Sequence, residues 1–331
     1  MHFSFIIPVY NRPKEIEELL ASMVLLENAP PFEVVIVEDG STETSEAVIS
    51  AYQNQLQISY YSKQNTGPGD SRNYGMQKAK GNYFIILDSD VLLPTNYLAR
   101  VNAFLERGFV HCFGGPDAAD PTFSSLQKAI SYSMTSLWTT GGIRGRKNAV
   151  QKFQPRSFNM GLSKEAFEVS DGFGNIHPGE DPDLAIRLWK LGYETALIPE
   201  ASVFHKRRIS WNKFYQQVHK FGLVRPILNL WHPETAKLTF WFPAIFCVYV
   251  AIALLMALAG IGLFLQFLCL YFLIIFIGAS WKYHSLRVGF KSVIATLVQF
   301  YGYGTGFLKS YYYIHLQKRQ AEKQFKHLFF D

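Results

Sequence analysis

Along the first hundred residues, apolar and polar positions alternate in blocks rather than one by one. Four short runs, "FSFIIPVY", "FEVVIV", "ISYY" and "NYFIIL", are almost wholly apolar, and longer segments with apolar residues every three or four positions separate them. Runs that are apolar on both sides read as strands buried on both faces, and the periodic segments read as helices. The pattern predicts a mostly parallel sheet in an α/β domain. "NRPKEIEELLASMVLL" predicts a helix, since Asn11 can cap it, Pro13 fits its first turn, and Ile16, Leu19, Leu20 and Met23 share one face. A second helix is expected from about Glu43 to Tyr52, and a third through Arg72 to Lys78, after the loop "QNTGPGDS". Crossovers between parallel strands bring their carboxyl ends to one edge. That edge collects Pro8, Tyr10, Glu38, Asp39, Asp88 and Asp90.

The middle of the chain is less regular. "VHCFGGPDAADP" reads as a strand and turn, Thr122 to Leu137 as a helix, and Arg144 to Arg156 as an exposed basic loop. "SFNMGLSKEAFEVSDGF" predicts a short strand, a turn at Gly161 and a helix capped by Ser163. "GEDPDLAIRLWKLGYETALIPEASVFH" predicts an acidic helix start, a helix through Lys190 ended by Gly192, and a strand into His205.

From Leu238 to Ser280 the chain runs for 43 residues without a charge. One membrane span needs roughly 20 apolar residues, so the run predicts two antiparallel spans joined near Ala259 to Gly262. Both return the chain to the side of Lys282, Arg287 and Lys291, in keeping with the positive-inside rule. In the segment Phe290 to Leu308, Phe290, Val293, Ile294, Leu297 and Tyr301 share one side of a helical wheel, while Ser292, Thr296, Gln299 and Gly302 fall elsewhere. An interfacial helix is expected there, with a third span as the alternative.

Charge sharpens this division. The net charge is +6, and basic residues cluster from Arg144 to Arg156, from Phe204 to Arg225 and in the tail, on both sides of the apolar block. Such clusters fit an anionic membrane surface. No nucleic-acid-binding motif accompanies them, so a nucleic acid polymer is not an expected partner. Cys112, Cys247 and Cys269 are scattered and predict neither a disulfide framework nor a metal cluster. "HFSFIIPVYN" after Met1 offers no basic leader or cleavage site, so the front domain is expected to stay in the cytoplasm.

The strand-end acids carry the chemistry. Asp88 and Asp90 flank one residue at the end of a buried strand, an arrangement that can hold Mg²⁺ or Mn²⁺ and present it to a diphosphate. Such a metal would neutralise charge on a departing phosphate. His205 is a further candidate metal or phosphate contact, and Lys206, Arg207 and Arg208 are candidates for a diphosphate or for lipid headgroups. Helix capping accounts for one acid in "GEDPD", but less well for Glu180, Asp181 and Asp183 together. A dinucleotide-binding dehydrogenase needs a glycine-rich turn after the first strand, and "PVYNRP" has no glycine.

In order along the chain, "FIIPVYNRPKEIEELLASM", "VIVEDGST", "GPGDSRNYGMQKAKGNYFIILDSDVLLP", "FNMGLSKEAFEVSDGF" and "GEDPDLAIRLWKLGYE" resemble family 2 glycosyltransferases over about Ser4 to His205. The resemblance implies an inverting enzyme of the GT-A nucleotide-diphospho-sugar transferase fold. It implies that Pro8, Tyr10 and Arg12 line the nucleotide pocket, that Asp39 addresses the base, commonly uracil, and that Gly69, Arg72 and Asn73 brace the nucleotide and ribose. Asp88 and Asp90 match the family's metal-binding Asp-x-Asp, with Mn²⁺ or Mg²⁺ as cofactor. Glu180 and Asp181 match its paired acids, the second usually the general base, and Asn159 and Gly161 sit where the family shapes the sugar and acceptor pocket. Glu38 stands where the family more usually has Asp.

A phosphate acceptor is already ionised and needs no base, so the paired acids favour a hydroxyl acceptor. The family's processive members carry Gln-x-x-Arg-Trp near Gln217 to Phe221, where this chain has Lys220 and Phe221 instead. The expectation is therefore a membrane-bound enzyme that moves a single sugar, from a UDP-sugar, to a lipid, lipid-linked saccharide or surface glycan. A polyprenyl-phosphate glycosyltransferase, a short-chain polysaccharide synthase and an inactive membrane scaffold or glycan-binding protein are the alternatives. The expected organisation is a catalytic domain over residues 1–230, a two-helix hairpin over 231–289 and an amphipathic helix with a basic tail over 290–331. The expected location is a bacterial cell membrane, with more than one pass.

Overall fold

The structure, a computed structural model, describes residues 1–118, 123–140, 153–205 and 210–330. Lys206, Arg207, Arg208, the basic segment 144–152 and Thr122 lie outside the described residues. In chain order the strands are β1 Phe3–Val9, β2 Phe32–Asp39, β3 Ile58–Lys63, β4 Tyr83–Leu87, β5 Val91–Leu92, β6 Cys112–Gly114, β7 Asp117–Ala118, β8 Asn159–Ser163, β9 Thr195–Leu197 and β10 Val203–His205. The helices are α1 Pro13–Val24, α2 Glu46–Tyr52, α3 Pro68–Lys78, α4 Tyr97–Arg107, α5 Ser125–Thr135, α6 Leu137–Thr140, α7 Lys164–Ser170, α8 Glu180–Lys190, α9 Trp211–Trp231, α10 Phe242–Leu258, α11 Leu263–Tyr283 and α12 Leu286–Tyr311. The described residues form two compact units. One lies within Met1–Asp120, Lys147–Lys206 and Phe329–Asp331, the other within Pro121–Arg146 and Arg207–Leu328.

The first unit is built on a seven-stranded sheet in the order β3-β2-β1-β4-β8-β6-β9. The four strands foreseen from the apolar runs are mutually parallel, and β8 joins antiparallel between β4 and β6. A smaller sheet pairs β5, β10 and β7. Neighbouring residues of β1 serve opposite faces. Phe3, Phe5, Ile7 and Val9 pack with α1 and α4 residues such as Leu19 and Val101, while Ile6 packs with Met76 of α3 and Leu184 of α8. This two-sided burial is why the run carries no polar alternation. Each such side chain, withdrawn from water, contributes about 1.5–3 kcal/mol.

Three local expectations need correction. Asn11 does not cap α1. It adopts a positive φ of 53°, and its Oδ1 accepts the backbone N–H groups of Thr42 and Glu43, tying the end of β1 to the turn after β2. Gly161 is not a turn residue but lies inside β8, opposite Ile85 of β4. A Cβ there would meet the Phe113 ring at 2.0 Å, so the glycine makes room for an aromatic neighbour. The stretch into His205 is two short strands, β9 and β10, in different sheets. Ser163 caps α7 as foreseen, its side chain accepting the Ala166 N–H at 3.1 Å.

The second unit is helical. Two of its helical segments, Leu238–Leu258 and Leu263–Tyr283, are long and apolar enough to cross a membrane. Leu255, Leu258, Phe267, Leu270 and Ile277 are all exposed on them. Within this unit α12 packs against α5, α9, α10 and α11. Its Ser292, Thr296, Gly302 and Gly306 are buried, whereas Phe290, Leu297, Tyr301 and Leu308 face outward. The buried face of α12 thus combines small residues with Val288, Phe300 and Phe307, while Phe290, Leu297, Tyr301 and Leu308 are left exposed.

Candidate active site

Because β1, β2 and β4 are adjacent and parallel, the segments that follow them meet at one edge of the sheet. Asp88 directly follows β4, and Asp90 comes two residues later. Asp90 pairs with Arg12, from the segment after β1. Asp88 Oδ1 accepts from Arg72 Nη2 at 2.9 Å. Arg72 rises from α3 and is buried, and its Nη1 donates to Glu180 Oε1 at 3.2 Å, across 108 residues of sequence. One guanidinium thus joins the acid that ends β4 to the acid that opens α8.

Burying a cation is costly unless it is paired and stacked, and Arg72 is both. Its guanidinium lies 5.3 Å from the centre of the Phe173 ring. Asn73, next to it on α3, holds Phe173 in place by donating to its carbonyl and accepting from its N–H, each at 2.8 Å. Gly69 lets α3 approach the same segment, since a Cβ there would meet the Gly174 carbonyl oxygen at 2.9 Å. Burial alone would lower the Arg72 pKa, but Asp88, Glu180 and Asp181 raise it, so the group stays charged.

Glu180, Asp181 and Asp183 occupy the first turn of α8, where the helix dipole favours negative charge. Gly179 before them has a φ of 126°, a conformation that side chains rarely adopt. Glu180 is buried and lies 2.8 Å from His177 Nδ1. Burial would raise its pKa, but His177 and Arg72 overcome that and hold it below the ordinary carboxylate range. Asp181 behaves oppositely. Burial and the adjacent Glu180 charge push it up to about 6, against the opposing pull of Arg72 and a hydrogen bond with Ser157. Its Oδ1 is out of solvent contact and has no hydrogen-bond partner among the described residues. Paired acids driven apart in this way are a pattern of acid–base sites.

The remaining expected residues divide into two groups. Pro8 lies in β1 and Tyr10 just beyond it, 52% exposed, both at this edge. Asp39, at the end of β2, is buried. It accepts from Lys63 Nζ at 2.8 Å and from the Thr66 and Gly67 N–H groups at 3.0 and 3.1 Å, bracing the loop before α3. Glu38 accepts from the Ser45 N–H at 2.9 Å and from the Tyr60 hydroxyl at 3.2 Å. Asn159 stands opposite Leu87 at the β4 end, but its amide is engaged in the core, with the Tyr97 hydroxyl at 2.6 Å and the Ala201 carbonyl at 2.7 Å. Gly161 lies two residues further along β8, against Phe113. Of His205 only the backbone is described, in β10.

Sequence reasoning missed His177, Ser157 and Lys63. His177 had a signal, standing three residues before Glu180 in "HPGED". It also missed the end of the chain. Phe329 bridges to Ile176, and the Phe330 N–H donates to the Asn175 carbonyl at 3.1 Å. The Phe330 ring covers Gly67, whose φ is 90° and whose added Cβ would meet that ring at 2.4 Å. A cavity of about 330 Å³ near the opposite ends of β1 and β4, lined by Met1, Asn82, Lys164 and Glu168 among others, shares no residue with this edge.

The donor set has the chemistry for a divalent cation. Mg²⁺ is commonly held by one or two carboxylates, with substrate phosphates and water completing its shell. Asp88 and Asp90 supply two such carboxylates. Among the described residues no group of three or more metal-ligating side chains exists.

Residues 4–169, half of the 331-residue chain, match the family described as glycosyl transferase family 2. An uncharacterized glycosyltransferase of Rickettsia bellii is 40% identical over 103 residues, 31% of this chain and 15% of that protein. The poly(ribitol-phosphate) beta-N-acetylglucosaminyltransferase TarS of Staphylococcus aureus is 35% identical over 109 residues, 32% of this chain and 19% of that protein. The matched stretch is thus less than a fifth of either relative. A mannosyltransferase from Pyrobaculum calidifontis, solved in complex with GDP-Man and Mn²⁺, shares the fold with a TM-score of 0.61 at 17% identity, over 92% of this chain and 86% of that one. On a GT-A fold, with half its length matched, the chain belongs to glycosyl transferase family 2.

Proposed function

We propose that the chain is a membrane-anchored inverting glycosyltransferase. It moves a single sugar from a nucleotide-diphospho-sugar, a UDP-sugar in this reading, to a hydroxyl of a lipid, lipid-linked saccharide or surface glycan. The observation that carries the reading is the Arg72 junction, which draws the acid after β4 and the acids of α8 into one cluster.

In this mechanism Asp181 is the general base. With its pKa pushed up to about 6, it is ionised at neutral pH yet more basic than an ordinary carboxylate. The acceptor oxygen bonds to the anomeric carbon from the face opposite the diphosphate, its proton passes to Asp181, and the bond to the diphosphate oxygen breaks, its electron pair leaving with the nucleotide. Glu180, kept ionised by Arg72 and His177, raises the Asp181 pKa and turns no proton over itself. In this reading Arg12, partly exposed beside Asp90, meets the diphosphate, and Arg72 acts through the acids it holds. A divalent cation held by Asp88 and Asp90 would supply further charge neutralisation to the departing group. Tyr10, exposed at the edge, offers a ring for the nucleotide base.

Membrane attachment draws support from the two apolar segments with outward-facing Leu, Phe and Ile, and from the exposed Phe290, Tyr301 and Leu308 of α12. The positive flanks favour a cytoplasmic catalytic unit.

The test offers a panel of nucleotide sugars, with Mn²⁺ and membrane-lipid extract, to the purified full-length chain and identifies products by mass spectrometry. One nucleotide sugar should give a product one sugar heavier than an extract lipid, and D88A and D90A should abolish it. Absence of transfer from every donor, or full turnover by both variants, overturns the reading.

A further inference from the structure

The helical unit holds a second cluster of ionisable groups that the proposed reaction does not use. α9 and α12 cross at very close range because glycine stands at the contact on both. A Cβ on Gly306 would come within 2.4 Å of the His219 carbonyl oxygen, and one on Gly222 within 2.2 Å of the Tyr303 carbonyl oxygen. This approach brings the side chains beside the contact together around a cavity of about 190 Å³, lined by Tyr215, Gln216, His219, Lys220, Lys309 and His327 with Leu223. Two lysines and two histidines thus share one wall with a hydroxyl and an amide, and among the described residues no carboxylate lines it. Among the described residues, neither lysine has a carboxylate within salt-bridge distance.

His219 anchors the cluster, while Lys309 and His327 are exposed at its mouth. His219 Nδ1 faces the Gly302 carbonyl oxygen at 3.1 Å, and a carbonyl only accepts, so Nδ1 carries the hydrogen. The ring stacks on Tyr215 with centroids 5.7 Å apart. Burial, Lys220, Lys309 and His219 together lower the His327 pKa below the ordinary histidine range. The positive charges of Lys220 and Lys309 therefore stand together at the cavity, and an anion between them offsets their repulsion.

We propose that the cavity between α9 and α12 is a binding site for a phosphate or diphosphate ester group, whether carried on a lipid or free in solution. It needs neither Asp181 nor sugar transfer, so it stands or falls apart from the proposed reaction. The same unit carries the two apolar segments, which would put a lipid headgroup within the reach of such a site.

The experiment uses the full-length chain in neutral detergent. One arm titrates inorganic pyrophosphate by calorimetry. The other measures co-sedimentation with phosphatidylcholine vesicles with and without phosphatidic acid. K220Q/K309Q should bind about tenfold or more weakly in whichever arm the native chain binds, while K220R/K309R and the surface control K213Q/K323Q bind as the native chain does. Pyrophosphate binding supports a site open to free phosphate, and phosphatidic acid binding alone supports a lipid-borne one. Melting curves establish that the variants fold, and K309Q alone, at an exposed position, should show a smaller loss. The proposal is overturned if the native chain binds neither probe, if K220Q/K309Q binds as tightly as the native chain, or if K213Q/K323Q loses as much.

Discussion

At the sheet edge of the first unit, charge is compensated from within. Asp90 has Arg12, Asp88 and Glu180 share Arg72, and Glu180 also has His177. In the α9–α12 cavity of the second unit, Lys220, Lys309, His219 and His327 line one wall with no acid among the described lining residues. The first arrangement is held by its own ion pairs, and among the described residues Asp181 Oδ1 and Arg72 Nε are left without a hydrogen-bond partner. The second is complete only with an outside anion. In the proposed reading, ion pairing within the fold leaves one acid as the base for reaction, whereas two like charges left together favour a ligand of opposite sign.

Breaking the compensation at its base should have the largest effect. D181N removes the proton acceptor and should lower kcat about 10²- to 10⁴-fold, with nucleotide binding nearly unchanged, as read by turnover and by nucleotide titration. Next is Arg72, whose loss leaves Glu180 buried without its cation. R72M should cost about 3–5 kcal/mol in denaturant unfolding of the detergent-solubilised chain. Gly161→Ala drives a methyl into the Phe113 ring and should cost about 1–3 kcal/mol without altering the pH profile, separating packing from charge. Smallest is the effect of K220Q/K309Q on stability. Removing the repelling charges from the cavity should change unfolding by no more than about 0.5 kcal/mol, in contrast to R72M.

The pH dependence adds a sign. Asp181 must be ionised to accept a proton, so turnover should rise as pH increases through about 6 and then level off. Its pKa is raised in the fold, so the folded chain holds this proton more tightly than the unfolded one. Ionisation therefore costs stability as pH rises from the ordinary carboxylate range to about 6, and D181N should flatten that slope.

Much of this was legible because the strands are buried on both faces. The runs ending in Val9, Asp39 and Leu87 are apolar without alternation, which named both the sheet and the edge where Asp39, Asp88 and Asp90 lie. The pairing across that edge was not legible. Arg72 and Glu180 are 108 residues apart, and no local periodicity says that one guanidinium serves both Asp88 and Glu180. Gly161 misled for a related reason. Glycine marks turns, but here the space it leaves is taken by Phe113, a neighbour from β6. Likewise Asn11 looked like a helix cap, and its side chain serves the turn after β2 instead. In α12 the wheel groups Phe290, Leu297 and Tyr301 on one side, but the sequence does not say that the buried side mixes Ser292, Thr296 and glycines with Phe300 and Phe307. The basic cavity depends on how closely Gly222 and Gly306 let two helices cross, which spacing alone does not reveal.

The most direct measurement is the rate of sugar transfer against pH for the native chain and D181N, with one nucleotide sugar and one hydroxyl acceptor. The base assignment predicts a native rate that climbs through pH 6 to a plateau, and a D181N rate at least about a hundredfold lower with no such climb. A D181N profile that overlays the native one would contradict it.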